Sequence, residues 1–339
     1  MQRPVMNPNF ALETPSNGKG RKPRFEWLRK IGRFIVRLLT ASPFGKPKQF
    51  RNEEGTRVSR LVRGLTYRLA FVPILLVGFL AALVFGATHP GRDAGASDPI
   101  KIGVYFDTVH FVAEDGARLE GWLIPVMDAK RVIAEREQAL NKRYPAVVLV
   151  HDFAGSRDQL MHLAEPLHKA GFVVLAMNLR GASASSTDAQ TFGIREAMDV
   201  KAAVDMLRRR PYVDGGRIGL VGIGTGANAA LIAARDDAAI GALVLAAPID
   251  GFDRALASRI GEQHKWLPYM QSLLRWTFQV VYGVETSELD LRNFASTMTS
   301  RRVLMTDGRP GLLDPSAVKS VPRFMTNHLN PQVAGTPTN

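Results

Sequence analysis

The alternation of apolar and polar positions changes rhythm along the chain, and each rhythm predicts an element. From Leu69 to Ala87, 19 residues pass without a charge, LAFVPILLVGFLAALVFGA. That length crosses the hydrocarbon core of a bilayer as a helix, and a core helix is seldom apolar on every side for so long. Pro73 falls in the opening turn of the run, where its missing N–H is tolerated. Residues 88–99, rich in Gly, Ala, Asp and Pro, read as a linker. The period then becomes two. Val104-Tyr105-Phe106 and the alternating Val109, Phe111, Ala113 predict early strands, Glu114-Asp115-Gly116 a hairpin turn, and Leu119, Gly121, Leu123 the return strand.

Asp128 to Arg143 is charged with a helical spacing and reads as an exposed insertion. After it come PAVVLVH (145–151), FVVLAM (172–177), RIGLVG (217–222), GALVLAAP (241–248) and RVLMTD (302–307). Continuous apolar runs of this kind are buried on both faces of a parallel sheet. Helical patterns at Gln159–Ala170, at Glu196–Arg209 and from Thr225 onward separate them. The fold class is therefore α/β, a mainly parallel sheet covered on both faces. Residues 252–300 are helical and aromatic-rich (Trp266, Tyr269, Trp276, Phe278, Tyr282) and fit a cap over the sheet's C-terminal edge. Pro315 to Leu329 is a last helix, and 330–339 a tail without strand signal.

Charge changes the picture of the N-terminal third. The formal net charge is +13, but residues 1–68 hold 16 Lys+Arg against 4 Asp+Glu. The rest is nearly neutral, which argues against nucleic-acid binding by the large C-terminal part. Residues 1–23 read as a disordered basic tail. In 24–40 a basic face (Arg29, Lys30, Arg33, Arg37) opposes an apolar one (Trp27, Leu28, Ile31, Phe34, Ile35, Leu38), as in a helix lying on an anionic membrane surface. Residues 41–68 form a basic juxtamembrane segment. Arg57, Arg60, Arg63 and Arg68 precede the apolar run, so the positive-inside bias puts the N-terminus in the cytoplasm and the domain outside. The expected organisation is one transmembrane helix at 69–87, then a domain at 100–329 carrying the 252–300 cap. Partners expected from this layout are the bilayer and, through 24–68, its anionic lipids. Cysteine is absent, which removes disulfides, thiolate metal sites and a Cys nucleophile.

The candidate chemistry sits where RIGLVG meets Gly222-Ile223-Gly224-Thr225-Gly226 and an Ala-rich helix. Strand, sharp turn and helix form the setting of a nucleophile elbow, G-x-S-x-G, but the central residue is Gly224. Glycine reaches the elbow's backbone angles without strain, so the turn is kept and the hydroxyl lost. Thr225 is one position late in the turn. The same stretch, Gly222-x-Gly224-x-x-Ala227, with Asp250 further on, also satisfies a dinucleotide-binding fingerprint. Against that alternative, such a fingerprint normally opens its fold, and here two strand–helix units precede it.

Several blocks in order carry a resemblance: EDGARLEGWLIP (114–125), VLVHDFAGS (148–156), LRGASAS (179–185), REAMDVKAAVDMLRRRPYVDGGRIGLVG (195–222) and GIGTG (222–226). Together they resemble the α/β-hydrolase superfamily, especially its serine-aminopeptidase-like and dienelactone-hydrolase-like branches. The resemblance implies an α/β-hydrolase fold, here lacking the last strand, in which serine, acid and histidine act with backbone N–H groups as oxyanion hole. In this chain the serine position is Gly224 and the acid position Gly311, and the one late histidine is His328. The backbone of Phe153 and Thr225 takes the oxyanion-hole positions. Asp152 stands where the family has glycine, placing an anion beside them.

The expectation is a membrane-anchored pseudo-hydrolase without cofactor or metal, binding a small acyl or peptide ligand or a protein partner. Its rival is an active hydrolase, esterase- or peptidase-like, with Asp152, His151 and Asp250 arranged around a water or metal. Of these, His151 reads as structural and Asp250 as a cap or turn former. Ser183, Ser185 and Ser186 lie in a loop where the family often has a non-catalytic serine.

Overall fold

A computed structural model describes residues 55–91, 105–126, 142–182, 185–186, 188–261, 263–306, 308–309, 312–313 and 315–330, giving only the backbone for 55–70 and 308–317. The predicted tail at 1–23, the amphipathic helix at 24–40, most of the 88–99 linker and 128–143 insertion, Ser183, Gly311 and the tail from 331 lie outside the described residues.

The first helix, α1 (Gly55–Thr88), is longer than the charge-free run within it. Arginine is a good helix former, so the basic stretch before Leu69 continues the same helix. Two expectations change as a result. Pro73 is an interior residue instead of a first-turn one, a position that costs about 3 kcal/mol in water but is accommodated in membrane helices. Thr88, assigned to the linker, is the last helical residue and is fully buried. The stretch Phe71–Thr88 is long and apolar enough to cross a membrane. The chain divides into two compact units, Met1–Ile74 and Leu75–Asn339, with the division one residue past Pro73.

The second unit is built on a seven-stranded sheet: β1 (Asp107–Val112), β2 (Arg118–Ile124), β3 (Tyr144–Val150), β4 (Val173–Asn178), β5 (Val213–Ile223), β6 (Ile240–Ala246) and β7 (Arg302–Thr306). The spatial order is β1-β2-β4-β3-β5-β6-β7. β1 and β2 pair antiparallel at one edge, β2 joins β4 antiparallel, and the remaining pairings are parallel. Tyr105 and Phe106 lie outside the regular strand, and β7 ends the sheet among the described residues.

Period-two packing sorts the strand side chains onto two cores. Val148, Val150, Leu175, Leu220 and Leu243 face the side covered by α3 (Glu196–Arg208) and α4 (Thr225–Arg235). Val147, Leu149, Val174, Val221 and Val244 face the side covered by α2 (Ala164–Lys169) and α8 (Pro315–Leu329). A one-residue slip of any central strand would exchange these sets, so the register is strongly determined. The helical pattern expected at Gln159–Ala170 begins as a 3-10 turn, Arg157–Leu163, before α2. The 252–300 segment, expected as a cap, holds α5 (Phe252–Ile260), α6 (Leu267–Tyr282), two 3-10 turns and α7 (Ala295–Ser300).

Candidate functional site

β5 delivers the glycine turn at the C-terminal edge of the sheet, where α/β folds place their chemistry. Gly224 precedes α4 with φ 56° and ψ −118°, a conformation glycine adopts readily and other residues only with strain. Gly226 is needed for a different reason. A Cβ there would overlap the carbonyl oxygens of Val150 and His151, so the start of α4 rests directly on the end of β3.

The loop after β3 carries Asp152, which is buried (3% exposed). Its Oδ1 accepts the Phe153 N–H at 2.7 Å, the Thr225 N–H at 2.9 Å and the Thr225 Oγ1 hydroxyl at 3.3 Å. Two backbone donors, one after the elbow and one from the β3 loop, thus converge on one point, as in an oxyanion hole. That point is filled by the protein's own carboxylate. The positive end of the α4 dipole and charge-assisted hydrogen bonds stabilise an anion there, each bond to a charged group being worth about 1.5–3 kcal/mol. A Cβ built on Gly224 would overlap the Asp152 carboxyl group, with even Oδ2 only 2.7 Å away. The missing side chain at 224 and the carboxylate at 152 therefore occupy one space between them.

Two glutamines hold this loop. Gln159 Oε1 accepts the Asp152 N–H at 2.9 Å, and Gln190 Oε1 accepts the Ala154 N–H at 3.0 Å, fixing Ala154 at φ 58°. Gln190 also donates from Nε2 to the Arg180 carbonyl, and its backbone N–H reaches the Thr88 carbonyl at 2.8 Å. Neither glutamine stands out in the sequence; each lies in a polar loop or a helix start, and only the folded loop shows what it holds. Arg180 and Asp199, inside the LRGASAS and REAMDVK blocks, form a buried ion pair that extends to Asp115 of the first hairpin. The Arg180 guanidinium holds the Asp115 carboxyl below its ordinary range.

His151 lies directly beside this site, and both ring nitrogens are committed to backbone. The Asp152 carbonyl can only accept, so Nδ1, 2.7 Å away, carries the proton. The Leu179 N–H can only donate, so Nε2, at 3.0 Å, is the acceptor. Burial lowers its pKa from 6.5 to about 4. A neutral imidazole with both nitrogens engaged offers no proton acceptor to a substrate and no lone pair to a metal.

This predicts a specific acid sensitivity. Between pH 6.5 and about 4 the unfolded chain binds a proton that folded His151 refuses, so stability falls as pH falls through that window. The full effect is roughly 3 kcal/mol by the size of the shift. His162, also lowered by desolvation, adds in the same direction. Burial pushes the Asp199 carboxyl up, which acts with the opposite sign over the same range, so the test is the difference between the parent and His151→Asn. In urea unfolding of the detergent-solubilised chains from pH 7 to 4 the parent should lose more stability than the variant, and parallel profiles would refute the prediction.

The other candidates lie apart from this cluster. Asp250 is exposed and accepts the Leu291 N–H at 3.1 Å, terminating a loop of the cap. Ser185 Oγ donates to the Asn178 carbonyl and accepts the Glu120 N–H, and Ser186 bonds Asp188. His328 is exposed on α8 against the Phe324 ring. Among the described residues no group of three His, Asp or Glu side chains is placed to hold a metal. The helix end that would receive a pyrophosphate in a dinucleotide site already holds the Asp152 carboxylate, whose like charge opposes it. Above the loop, buried rings run in contact into the cap: Phe153 to Phe192 at 5.8 Å, Phe192 to Phe278 at 5.8 Å, and Phe252 to Phe278 at 4.8 Å. The Arg259 guanidinium stacks on Phe153 at 4.3 Å.

The model of the dienelactone hydrolase family matches residues 130–257, a span that includes the β3 loop and the glycine turn. No curated protein matches the sequence. Among solved structures, the Pyrococcus furiosus esterase Pf2001 aligns over 72% of this chain and 98% of its own, at 19% identity and a TM-score of 0.53. A second crystal form of that esterase aligns over 71% and 100%, with a TM-score of 0.51. The alpha/beta hydrolase GrgF from Penicillium sp. sh18 covers 67% of this chain and 99% of its own at 17% identity, with a TM-score of 0.46. At 19% identity the likeness to the esterase establishes the fold and leaves the chemistry to the site itself. The fold is that of the α/β-hydrolases.

Proposed function

We propose that this α/β-hydrolase-fold chain is a membrane-anchored, catalytically inactive relative of the esterases, closed at its site from within. One observation supports the reading: the Asp152 carboxylate accepts the N–H groups of Phe153 and Thr225, assigned here to the oxyanion hole, and fills the space beside Gly224, assigned here to the nucleophile position. A developing oxyanion would have to displace a buried anion from the donors it needs, and losing even one such donor costs about 3–4 kcal/mol of transition-state stabilisation. Thr225 Oγ1 offers no substitute nucleophile, since it is turned to Asp152 and no imidazole among the described residues activates it. The layout supports α1 as a single crossing with the N-terminus cytoplasmic and the domain outside, and the basic 24–68 stretch as a contact for anionic lipid. Of the two binding roles, the packed Phe153, Phe192, Phe252 and Phe278 rings favour the outer surface of the cap over a small acyl or peptide ligand held inside it.

The test is turnover of short p-nitrophenyl esters by the detergent-solubilised full chain, with and without added divalent ions, together with labelling by a fluorophosphonate. Rates equal to buffer and no labelled band are expected. Turnover that Asp152→Asn abolishes would instead establish an active, rearranged hydrolase.

A further inference from the structure

Helix α6 is apolar on two opposite sides. Its inward side, Leu267, Leu274 and Phe278, is buried, with Phe278 in the ring cluster. Its outward side presents Tyr269, Leu273, Trp276 and Val280, which are 82%, 40%, 55% and 63% exposed. At 3.6 residues per turn these four share an arc of about 60° facing away from Leu267 and Phe278. No charge lies in that arc. Arg275, about 100° round the helix from the arc, is drawn to Asp253 of α5 at 2.6 Å. A helix on a water-facing surface carries polar residues outward, and a contiguous aromatic and aliphatic row marks a surface that something covers.

The same end of the domain receives α1. Thr88 Oγ1 hydrogen-bonds Tyr282 Oη, at the end of α6, at 2.5 Å. Leu80, Leu83, Val84 and Ala87 are buried within the domain's unit, while Phe85 between them is 60% exposed. The stretch Leu80–Thr88 rises about 12 Å, a sizeable part of the roughly 30 Å hydrocarbon core. Protein that covers one face of those turns stands level with the leaflet they pass through, and its outer surface must suit lipid.

We propose that the outward face of α6 lies in the headgroup–acyl boundary of the bilayer that α1 crosses. The domain would then be held by one spanning helix and one interfacial helix. This rests on the membrane-anchoring reading above. The composition suits the occupant: Trp276, Tyr269 and Trp266 are the side chains that settle where one end is apolar and the other wet. Exposed Lys265 at the N-terminal edge suits the lipid phosphates.

Because the chain has no cysteine, single thiols can be placed without background. Leu273→Cys, Trp276→Cys and Val280→Cys, each labelled with a nitrobenzoxadiazole dye, are compared in the full chain reconstituted in phosphatidylcholine–phosphatidylglycerol vesicles. Val77→Cys in α1 and Asp205→Cys on α3 are the references. The α6 labels are expected to be blue-shifted and quenched several-fold more by doxyl-lipid than by aqueous iodide, as at Val77 and opposite to Asp205. If iodide quenches the α6 labels as it does Asp205→Cys while Val77→Cys meets lipid, the interfacial helix is refuted and the anchor stands. If Val77→Cys also fails to meet lipid, the anchor itself is refuted. Protection of α6 from both quenchers, with or without thiol cross-links between chains, would assign the face to a protein surface and overturn the proposal.

Discussion

Placing a serine at position 224 is expected to destabilise the protein by about 3–5 kcal/mol and to yield no enzyme. The Cβ would overlap the Asp152 carboxyl group, and relief requires moving a buried carboxylate off two N–H donors. Overpacking costs about 1–3 kcal/mol, and leaving buried partners unmade adds about 1–3 more. The diagnostic is the cycle. Asp152→Gly alone leaves the Phe153 and Thr225 N–H groups without their acceptor and costs about 2–4 kcal/mol. In that background Gly224→Ser should add only the strain of a side chain at positive φ, about 1–2 kcal/mol. Urea unfolding of the four proteins would then give a favourable coupling of about 2–3 kcal/mol. Strict additivity would show that residues 152 and 224 do not share one space, and the self-closed site would fall with it.

Removing the guanidinium of Arg180 is expected to be at least as damaging. Its Nη2 and Nε reach Asp199 at 2.5 and 3.0 Å, and its Nη1 reaches Asp115 at 2.5 Å; Arg180 and Asp199 are both buried. Arg180→Met strands the Asp199 carboxylate, and breaking a buried pair from one side costs about 3–5 kcal/mol. For a domain of this size that lowers Tm by roughly 10–15 °C. Arg180→Lys should rescue little, since an ammonium cannot make the forked contact to two carboxylates. The double variant Arg180→Met/Asp199→Leu should recover part of the loss. A Tm within 3 °C of the parent for Arg180→Met would refute the network's role. The pair ties the first hairpin to α3, and its neighbour Gln190 holds the Ala154 end of the Asp152 loop. Loss of Arg180 should therefore also loosen the closed site, visible as faster amide exchange at Ala154.

The difference between what was readable early and late follows the range of the interaction. Runs such as AVVLV in β3 and ALVLA in β6 are local statements, because a strand buried on both faces must be apolar throughout. Gly224 was equally readable, since the absence of a side chain is a property of one position. The length of α1 was not, because the basic residues before Leu69 are good helix formers and carry no stop signal. Asp152 could be placed near the oxyanion position from the block order, but its orientation could not. Whether that carboxylate turned to water or to the Thr225 N–H, 73 positions away, depends on how β3 and β5 pair.

By itself, then, the amino-acid sequence determined a layered α/β domain, an apolar helix of membrane length, an elbow without a hydroxyl and a chain without thiols. Each of these is carried by neighbouring residues or by a short period. Only the tertiary structure decided that Asp152 fills the site Gly224 leaves open, that backbone groups occupy both nitrogens of His151, and that α6 turns Tyr269, Leu273, Trp276 and Val280 outward. A helix with two apolar stripes can bury either one, and a polar side chain can meet whatever donor the fold brings to it. Those choices are made by contacts between distant segments, where the energy of packing and desolvation outweighs local preference.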